Sequence, residues 1–179
     1  MADIMTKEER SIRMSRIRSA STKPELKLRH ILWNVGFRYR VNDKRLPGTP
    51  DIVLPKYRTV IFVHGCFWHG HRGCHASHIP ETNTDFWIAK IARNQERDQE
   101  VWRQLEAKRW AVIIVWECQL KHACINETIL QVKDEIIGNG ERFAREREEW
   151  KSSRQVYLKE RKARREREAS LLLSLKIRR

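Results

Sequence analysis

The stretch TVIFVHGCFWHGHRGC (59–74) decides how this chain folds, because its character changes halfway. Thr59–His64 is a short apolar run rich in β-branched residues, the pattern of a strand. From Gly65 to residue 83 that pattern stops, and glycines, histidines and cysteines crowd together, so this segment reads as a loop. Downstream, Thr84 to about Lys108 reads as a long helix carrying Phe86, Trp87, Ile91, Trp102 and Leu105, and Ala111–Trp116 reads as a buried strand. A strand, a long helix and a strand in succession predict a parallel crossover within a mixed sheet.

Working upstream, Asp51–Leu54 predicts a second strand, split from the first by Pro55–Arg58. Thr22 precedes Pro24, and Leu26, Leu28, Ile31, Leu32 and Val35 follow at largely helical spacing up to Gly36, so 24–35 is an amphipathic helix. Phe37–Val41 alternates apolar and basic residues like a half-exposed strand, ended by the turn LPGTP (46–50). A further helix is expected over 125–137, stopping at Gly138. The predicted order is α-β-β-β-α-β-α: an α/β fold with a mixed central β-sheet flanked by helices. Residues 1–20 form a basic amino-terminal arm, 21–140 the central domain, and 141–179 a charged extension expected as a long exposed helix or a loosely ordered tail. Within that extension, Leu171–Leu175 is an apolar patch able to dock on the domain.

The chain has 179 residues and a net charge of +14, with a pI near 10.1 and a mean hydropathy of −0.69. Its charge is uneven. Residues 1–45 hold 12 Lys/Arg and 5 Asp/Glu, residues 46–140 hold 11 of each, and residues 141–179 hold 14 and 7, so both ends are +7 and the middle is neutral. A polyanion is the natural partner for such ends, although charge alone serves solubility equally well. The apolar runs are far shorter than the ~20 residues that span a bilayer, so no membrane association is expected. Met1–Arg10 carries Asp3, Glu8 and Glu9 and no apolar stretch, so a secretory signal is not expected and the cytoplasm is the expected location.

Four cysteines in such a chain argue for a metal site over a disulfide framework. Cys66, His71 and Cys74 lie together in the loop after a predicted strand, and Cys118 lies just past the end of another. Three thiolates and one imidazole make a closed tetrahedral Zn²⁺ site of structural type. His75 is the rival imidazole, made awkward by its adjacency to Cys74. Cys124, with no partner nearby in sequence, reads as an ordinary buried thiol.

Asp51 opens one predicted strand and His64 ends the next, so neighbouring strands ending level would bring them within a few ångströms. A carboxylate so placed suits Mg²⁺, a nearby histidine suits a base or a phosphate contact, and His69 could face the same point. Singly, each is more often a plain polar loop residue. Together they make a phosphodiesterase candidate.

The string FVHGCFWHGH (62–71) resembles the core motif of the very short patch repair (Vsr) DNA mismatch endonucleases. The resemblance extends to RSIRMSRIRS (10–19), LPGTPD (46–51), TDFWIAKIARNQERD (84–98) and IIVWEC (113–118), in the family's order, and covers roughly residues 5–138. It implies a restriction-endonuclease-like core, a structural zinc, and Mg²⁺-dependent nicking of DNA 5′ of the thymine in T:G mismatches left by 5-methylcytosine deamination. By position, it makes Asp51 the Mg²⁺ ligand with the backbone carbonyl of Val63, His69 the general base, His64 the phosphate contact and Asp98 the carboxylate orienting a histidine. Glu25 matches an acidic position near the site. Cys66, His71, Cys74 and Cys118 match the zinc ligands. Phe67, Trp68 and Trp87 match aromatics that wedge beside the mismatch, with Met14 entering from the opposite groove; by itself Trp87 reads as core packing on its helix.

The resemblance also implies a monomer acting beside the nucleoid of a bacterium, with mismatch-repair proteins as candidate partners. This chain departs from many members at Val63, where they carry Thr, and at Gly73, which lengthens the metal loop by one residue; residues 141–179 have no counterpart. The competing readings are a restriction-type nuclease without mismatch preference and a zinc-stabilised DNA-binding module. Aromatic wedges argue against the first, and the trio Asp51, His64 and His69 against the second.

Overall fold

The computed structural model describes the backbone of residues 20–177 and the side chains of residues 20–165. Met14 and the basic arm around it lie outside the described residues, as do the side chains of Leu171–Leu175. The elements are helix α1 (Lys23–Asn34), strands β1 (Ile52–Leu54) and β2 (Thr59–His64), helix α2 (Thr84–Ala107), strand β3 (Ala111–Trp116) and helix α3 (Ile125–Ile177). β1 pairs antiparallel with β2, and β2 pairs parallel with β3, giving one mixed sheet in the order β1-β2-β3. Helix α2 makes the crossover that the parallel pair requires.

Both faces of this sheet are covered, which is why its strands are apolar at nearly every position. Ile52, Leu54, Ile61, Ile113 and Val115 point to one face and pack with Leu28 and Leu32 of α1 and Val132 and Ile136 of α3. The alternate positions Val53, Val60 and Phe62 pack with Leu105 and Trp110 on the other face. Complete burial of a residue such as Ile61 contributes roughly 1.5–3 kcal/mol.

Two expectations change. Phe37–Val41 is not a strand: Arg40 and Val53 form one isolated bridge, exchanging both backbone hydrogen bonds at 2.8 Å. Asn42 then adopts a left-handed φ of 48°, which turns the chain away before a second pair can form. The alternation reflects packing all the same, because Phe37 is buried in the core and the Tyr39 hydroxyl donates to the Arg29 carbonyl.

The second change concerns Gly138, which does not end a helix, since α3 continues to Ile177. Gly140 nearby is a close-approach position, where an added Cβ would lie 2.7 Å from Cδ1 of Tyr57. By internal contacts the chain divides after Gly140, and Glu141–Arg179 forms a second unit. Among the described residues, no helix is long and apolar enough to cross a membrane.

Candidate active site and metal centre

The parallel pairing of β2 with β3 sets the geometry at one end of the sheet. His64 is in register with Trp116, so Cys66 and Cys118 each lie two residues beyond that level. The ligand atoms of Cys66, His71, Cys74 and Cys118 all lie within 4.8 Å of one another. Nδ1 of His71 is 3.4 Å from Sγ of both Cys66 and Cys118. Its ring is stacked on Trp116, centroids 4.1 Å apart and planes 2° from parallel, which fixes where Nδ1 points.

Backbone bonds close this loop on itself: His71 N–H donates to Cys66 O, Cys74 N–H to His71 O, and Cys66 N–H to Oε1 of Glu117 at 2.8 Å. Burial pushes the Cys66 and Cys118 thiols up, whereas a backbone N–H from Ala76 draws Cys74 down. Three sulfurs and an imidazole nitrogen converging on one point suit a soft cation of tetrahedral preference. Cys124 is exposed and stands apart from this cluster, so the expectation of a buried thiol there is corrected. It lies in the turn just before α3, where no core closes over it.

On the β1 side, antiparallel pairing puts the start of β1 beside the end of β2. Oδ2 of Asp51 accepts the Val63 N–H at 2.8 Å. In a strand, N–H and C=O of one residue leave on the same edge, so the Val63 carbonyl also faces the Asp51 side. Burial pushes the Asp51 carboxyl up to about 6, the Val63 N–H opposes this, and the neighbouring Glu25 carboxylate adds to the rise. Two carboxylates and a carbonyl side by side form a hard oxygen donor set, the kind that suits a divalent cation.

Glu25 reaches this point because α1 begins there. Its oxygens already accept from Ser21 N–H at 2.8 Å, the Thr22 hydroxyl at 2.8 Å and Arg29 Nη2 at 3.1 Å. Buried Arg29 also donates to Oδ1 of Asn42 and to the Asp51 carbonyl, both at 3.0 Å, and so ties α1 to β1. Sequence reading missed Arg29, because a lone arginine on an amphipathic helix looks like solvated surface.

His64 ends β2 on the α2 face, where it is 5% exposed. Burial, helped by the neighbouring His69, pulls its imidazole down to about 4. His69 hydrogen-bonds through Nδ1 to Oδ2 of Asp98 on α2. Burial pushes the Asp98 carboxyl up, but the His69 hydrogen bond, the two imidazoles and Arg97 outweigh it and hold it below the usual carboxylate value. Asp98 is therefore an acceptor, Nδ1 of His69 carries the shared hydrogen, and Nε2 is the free ring nitrogen.

Two amides of α2 that the sequence did not flag hold the loop in place: Asn94 Nδ2 donates to Trp68 O at 2.8 Å and Gln95 Nε2 to His69 O at 3.2 Å. The close approach needs Gly70, at φ 62°, where a Cβ would lie 2.5 Å from Nε2 of Gln95 and 2.8 Å from Cγ2 of Ile91.

Asp51, Glu25 and Val63 thus form one cluster and His64, His69 and Asp98 another, joined through consecutive residues of β2. Beyond them, Phe67, Trp68 and Trp87 form a half-exposed aromatic group, with ring centroids 5.1–6.1 Å apart. Neither core includes Trp87; it packs edge-on against the loop aromatics and against Phe86, which is 56% exposed.

A sequence model of the DNA mismatch endonuclease Vsr family matches residues 2–75. The chain is 50% identical over 141 residues to the type II nicking enzyme V.NmeAIP of Neisseria meningitidis, an alignment covering 76% of this chain and all of that protein. It is 47% identical over 120 residues to the type II nicking enzyme V.XorIIP of Xanthomonas oryzae, covering 67% of this chain and 88% of the relative. It is 46% identical over 121 residues to the DNA mismatch endonuclease Vsr of Escherichia coli, covering 68% of this chain and 77% of the relative.

Proposed function

Because the chain belongs to the Vsr family of DNA mismatch endonucleases and nicking enzymes, we propose that it nicks one strand of duplex DNA 5′ of the thymine in a T:G mismatch, with Mg²⁺ as cofactor. The observation that carries this is the meeting of the oxygen cluster around Asp51 and the His64–His69–Asp98 cluster at one end of the sheet. The mixed sheet with helices on both faces is the core of a restriction-endonuclease-like fold, bounded by residues 21–140, with 1–20 as a DNA-contacting arm and 141–179 as an extension.

In this reading Asp51 and the Val63 carbonyl hold Mg²⁺. Glu25, its oxygens already engaged, keeps Asp51 in place. The metal supplies Lewis-acid polarisation of a phosphoryl oxygen and acidifies a bound water. Nε2 of His69 accepts the proton of the attacking water, and Asp98 holds the ring in the tautomer that leaves this nitrogen free. Neutral His64 lies beside it to hydrogen-bond the phosphate. Val63 provides what this role asks of it, a carbonyl, without the hydroxyl of Thr.

Cys66, His71, Cys74 and Cys118 hold Zn²⁺, which fixes a loop with little apolar core of its own. That loop carries Phe67 and Trp68, and with Trp87 they wedge beside the mispair, Met14 entering from the other groove. Unstacking a base step costs a few kcal/mol, less at a mispair, so the wedge itself favours mismatched DNA. The protein acts as a monomer in the bacterial cytoplasm with the nucleoid, with mismatch-repair proteins as partners.

The test is a nicking assay with Mg²⁺ on a T:G duplex and its fully paired counterpart. Nicking of the mismatched duplex alone is expected, and Asp51→Ala should abolish it while retaining binding. Equal cutting of both duplexes indicates a restriction-type nuclease. Tight binding without cutting of either indicates a DNA-binding module.

A further inference from the structure

Within the second unit, one face of α3 repeats a pair of residues three times. Phe143, Trp150 and Tyr157 are seven residues apart, and each is followed four residues later by arginine, at Arg147, Arg154 and Arg161. Seven residues make two turns less about 20°, so each aromatic stands over the last at intervals of about 10.5 Å. Residues four apart share a face, which puts each guanidinium beside its ring. One such pair is formed directly, with Cζ of Arg154 5.0 Å from the Trp150 ring centroid. Trp150 is 55% and Tyr157 60% exposed.

Three covers are conceivable for such a stripe. A coiled-coil partner requires apolar residues at two positions of each heptad. Here the companion positions, three residues after each aromatic, are Glu146, Ser153 and Glu160, so a second copy of this helix finds no seam. A lipid surface requires a broad apolar face, and one aromatic in seven does not supply it. A polyanion fits. Residues 141–165 hold 10 Lys/Arg against 5 Asp/Glu; Glu141 and Glu148 fall on the side away from the stripe, and Glu146 and Glu160 border its aromatic edge, which leaves the arginine edge without a carboxylate. Regularly spaced guanidinium groups neutralise phosphates, and planar rings between them pack on the sugars of the duplex backbone.

We infer that the Phe143–Trp150–Tyr157 and Arg147–Arg154–Arg161 stripe of α3 is a second DNA-binding surface, gripping the duplex backbone without reading its sequence. The inference rests on the chain acting on DNA and needs neither the T:G preference nor the metal assignments. It gives the carboxy-terminal charge a defined face instead of a diffuse field. The stripe lengthens the footprint, so a long duplex is held more tightly than a short one.

The experiment measures binding of the full chain to short and long paired duplexes across a salt series, without added Mg²⁺, so that failure of the nicking assignment cannot affect it. Three variants are compared: Arg147→Gln/Arg154→Gln/Arg161→Gln on the stripe, Trp150→Ala/Tyr157→Ala on the stripe, and Arg142→Gln/Arg145→Gln/Lys159→Gln away from it. On the long duplex the stripe arginine variant should lower the salt slope by about two to three and weaken low-salt binding at least about tenfold. The aromatic variant should weaken binding about fivefold or more with the slope kept. The off-stripe variant should lower the slope by less than one, and Arg→Lys at the three stripe positions should restore it. Equal losses for on- and off-stripe charges, no length dependence, or a dimer that the aromatic variant dissociates would each overturn the inference.

Discussion

His64 and His69 stack face to face, their ring centroids 3.7 Å apart and their planes 15° from parallel, although one ends a strand and the other sits in the following loop. Two imidazoles this close repel when both are charged, and burial already pulls His64 down to about 4. His64 is therefore the neutral partner at physiological pH. Asp98 hydrogen-bonds only His69 of the two, so the pair is asymmetric by construction: one ring oriented by a carboxylate, the other desolvated against Trp102 and Trp116.

That asymmetry makes Asp98→Asn informative. Asn keeps the shape and offers an amide whose N–H₂ favours the wrong tautomer of His69. Nicking should fall about 10²–10⁴-fold in kcat with KM little changed, as for loss of a general base. Stability should change too. The Asp98 carboxyl is held below the usual carboxylate value of 3.8, so its contribution is fully present above that value and is lost as pH falls through the lowered one. Denaturant unfolding of wild type between about pH 2 and 5 should show this loss, and Asp98→Asn should flatten it. A wild-type rate in the variant would remove His69 from its role.

Arg29 links the start of α1 to the carbonyl of Asp51 and is buried together with Glu25. Replacing it with Met leaves the Glu25 carboxylate without its cation in a nearly dry place. Breaking such a pair costs about 3–5 kcal/mol. Chemical denaturation of Arg29→Met should show a loss of that order. The double variant Arg29→Met/Glu25→Met should recover most of it, because no buried charge is then stranded. If the single variant is as stable as wild type, the network is peripheral.

Much of this arrangement was legible before any coordinates. The strands 59–64 and 111–116 and the helix between them force a parallel pair, and that pairing is what sets Cys118 beside the Cys66 loop. The antiparallel neighbour likewise brings Asp51 to Val63. What escaped was tertiary. Arg29, Asn94 and Gln95 act through backbone carbonyls of segments distant in sequence, and no local pattern marks them. Gly138 looks like a helix stop, yet α3 runs through it, and Gly140 nearby serves the approach of Tyr57. Phe37–Val41 alternates like a strand but is limited to one bridge by the left-handed Asn42.

The cysteine cluster predicts a metal-dependent fold for the loop. Cys118→Ser should remove about one equivalent of zinc per chain by elemental analysis and lower Tm by several degrees, because a structural site contributes folding free energy directly. Chelation of wild type should give the same unfolding curve as the variant. Since thiols must lose protons to bind metal, loss should also follow acidification. Cys124→Ser, at an exposed position outside the cluster, serves as control and should retain the metal. Equal zinc content in Cys118→Ser would move the fourth ligand elsewhere.

Trp68 tests the wedge. Its backbone carbonyl is held by Asn94, so Trp68→Ala removes the ring while the loop keeps its anchor. The ring packs against the half-exposed aromatics Phe67 and Trp87 and belongs to neither apolar core, and so carries little of the core's stability. Loss of one stacking platform costs about 1–3 kcal/mol of binding, roughly five- to 150-fold. If the ring unstacks a mispaired step, the loss should fall on the T:G duplex and spare binding to the paired one, narrowing their ratio. Measuring both affinities, with Tm unchanged within a degree or two as control, separates this from a folding defect. Equal weakening on both duplexes would make Trp68 a general DNA contact and leave mismatch choice to Phe67 and Trp87.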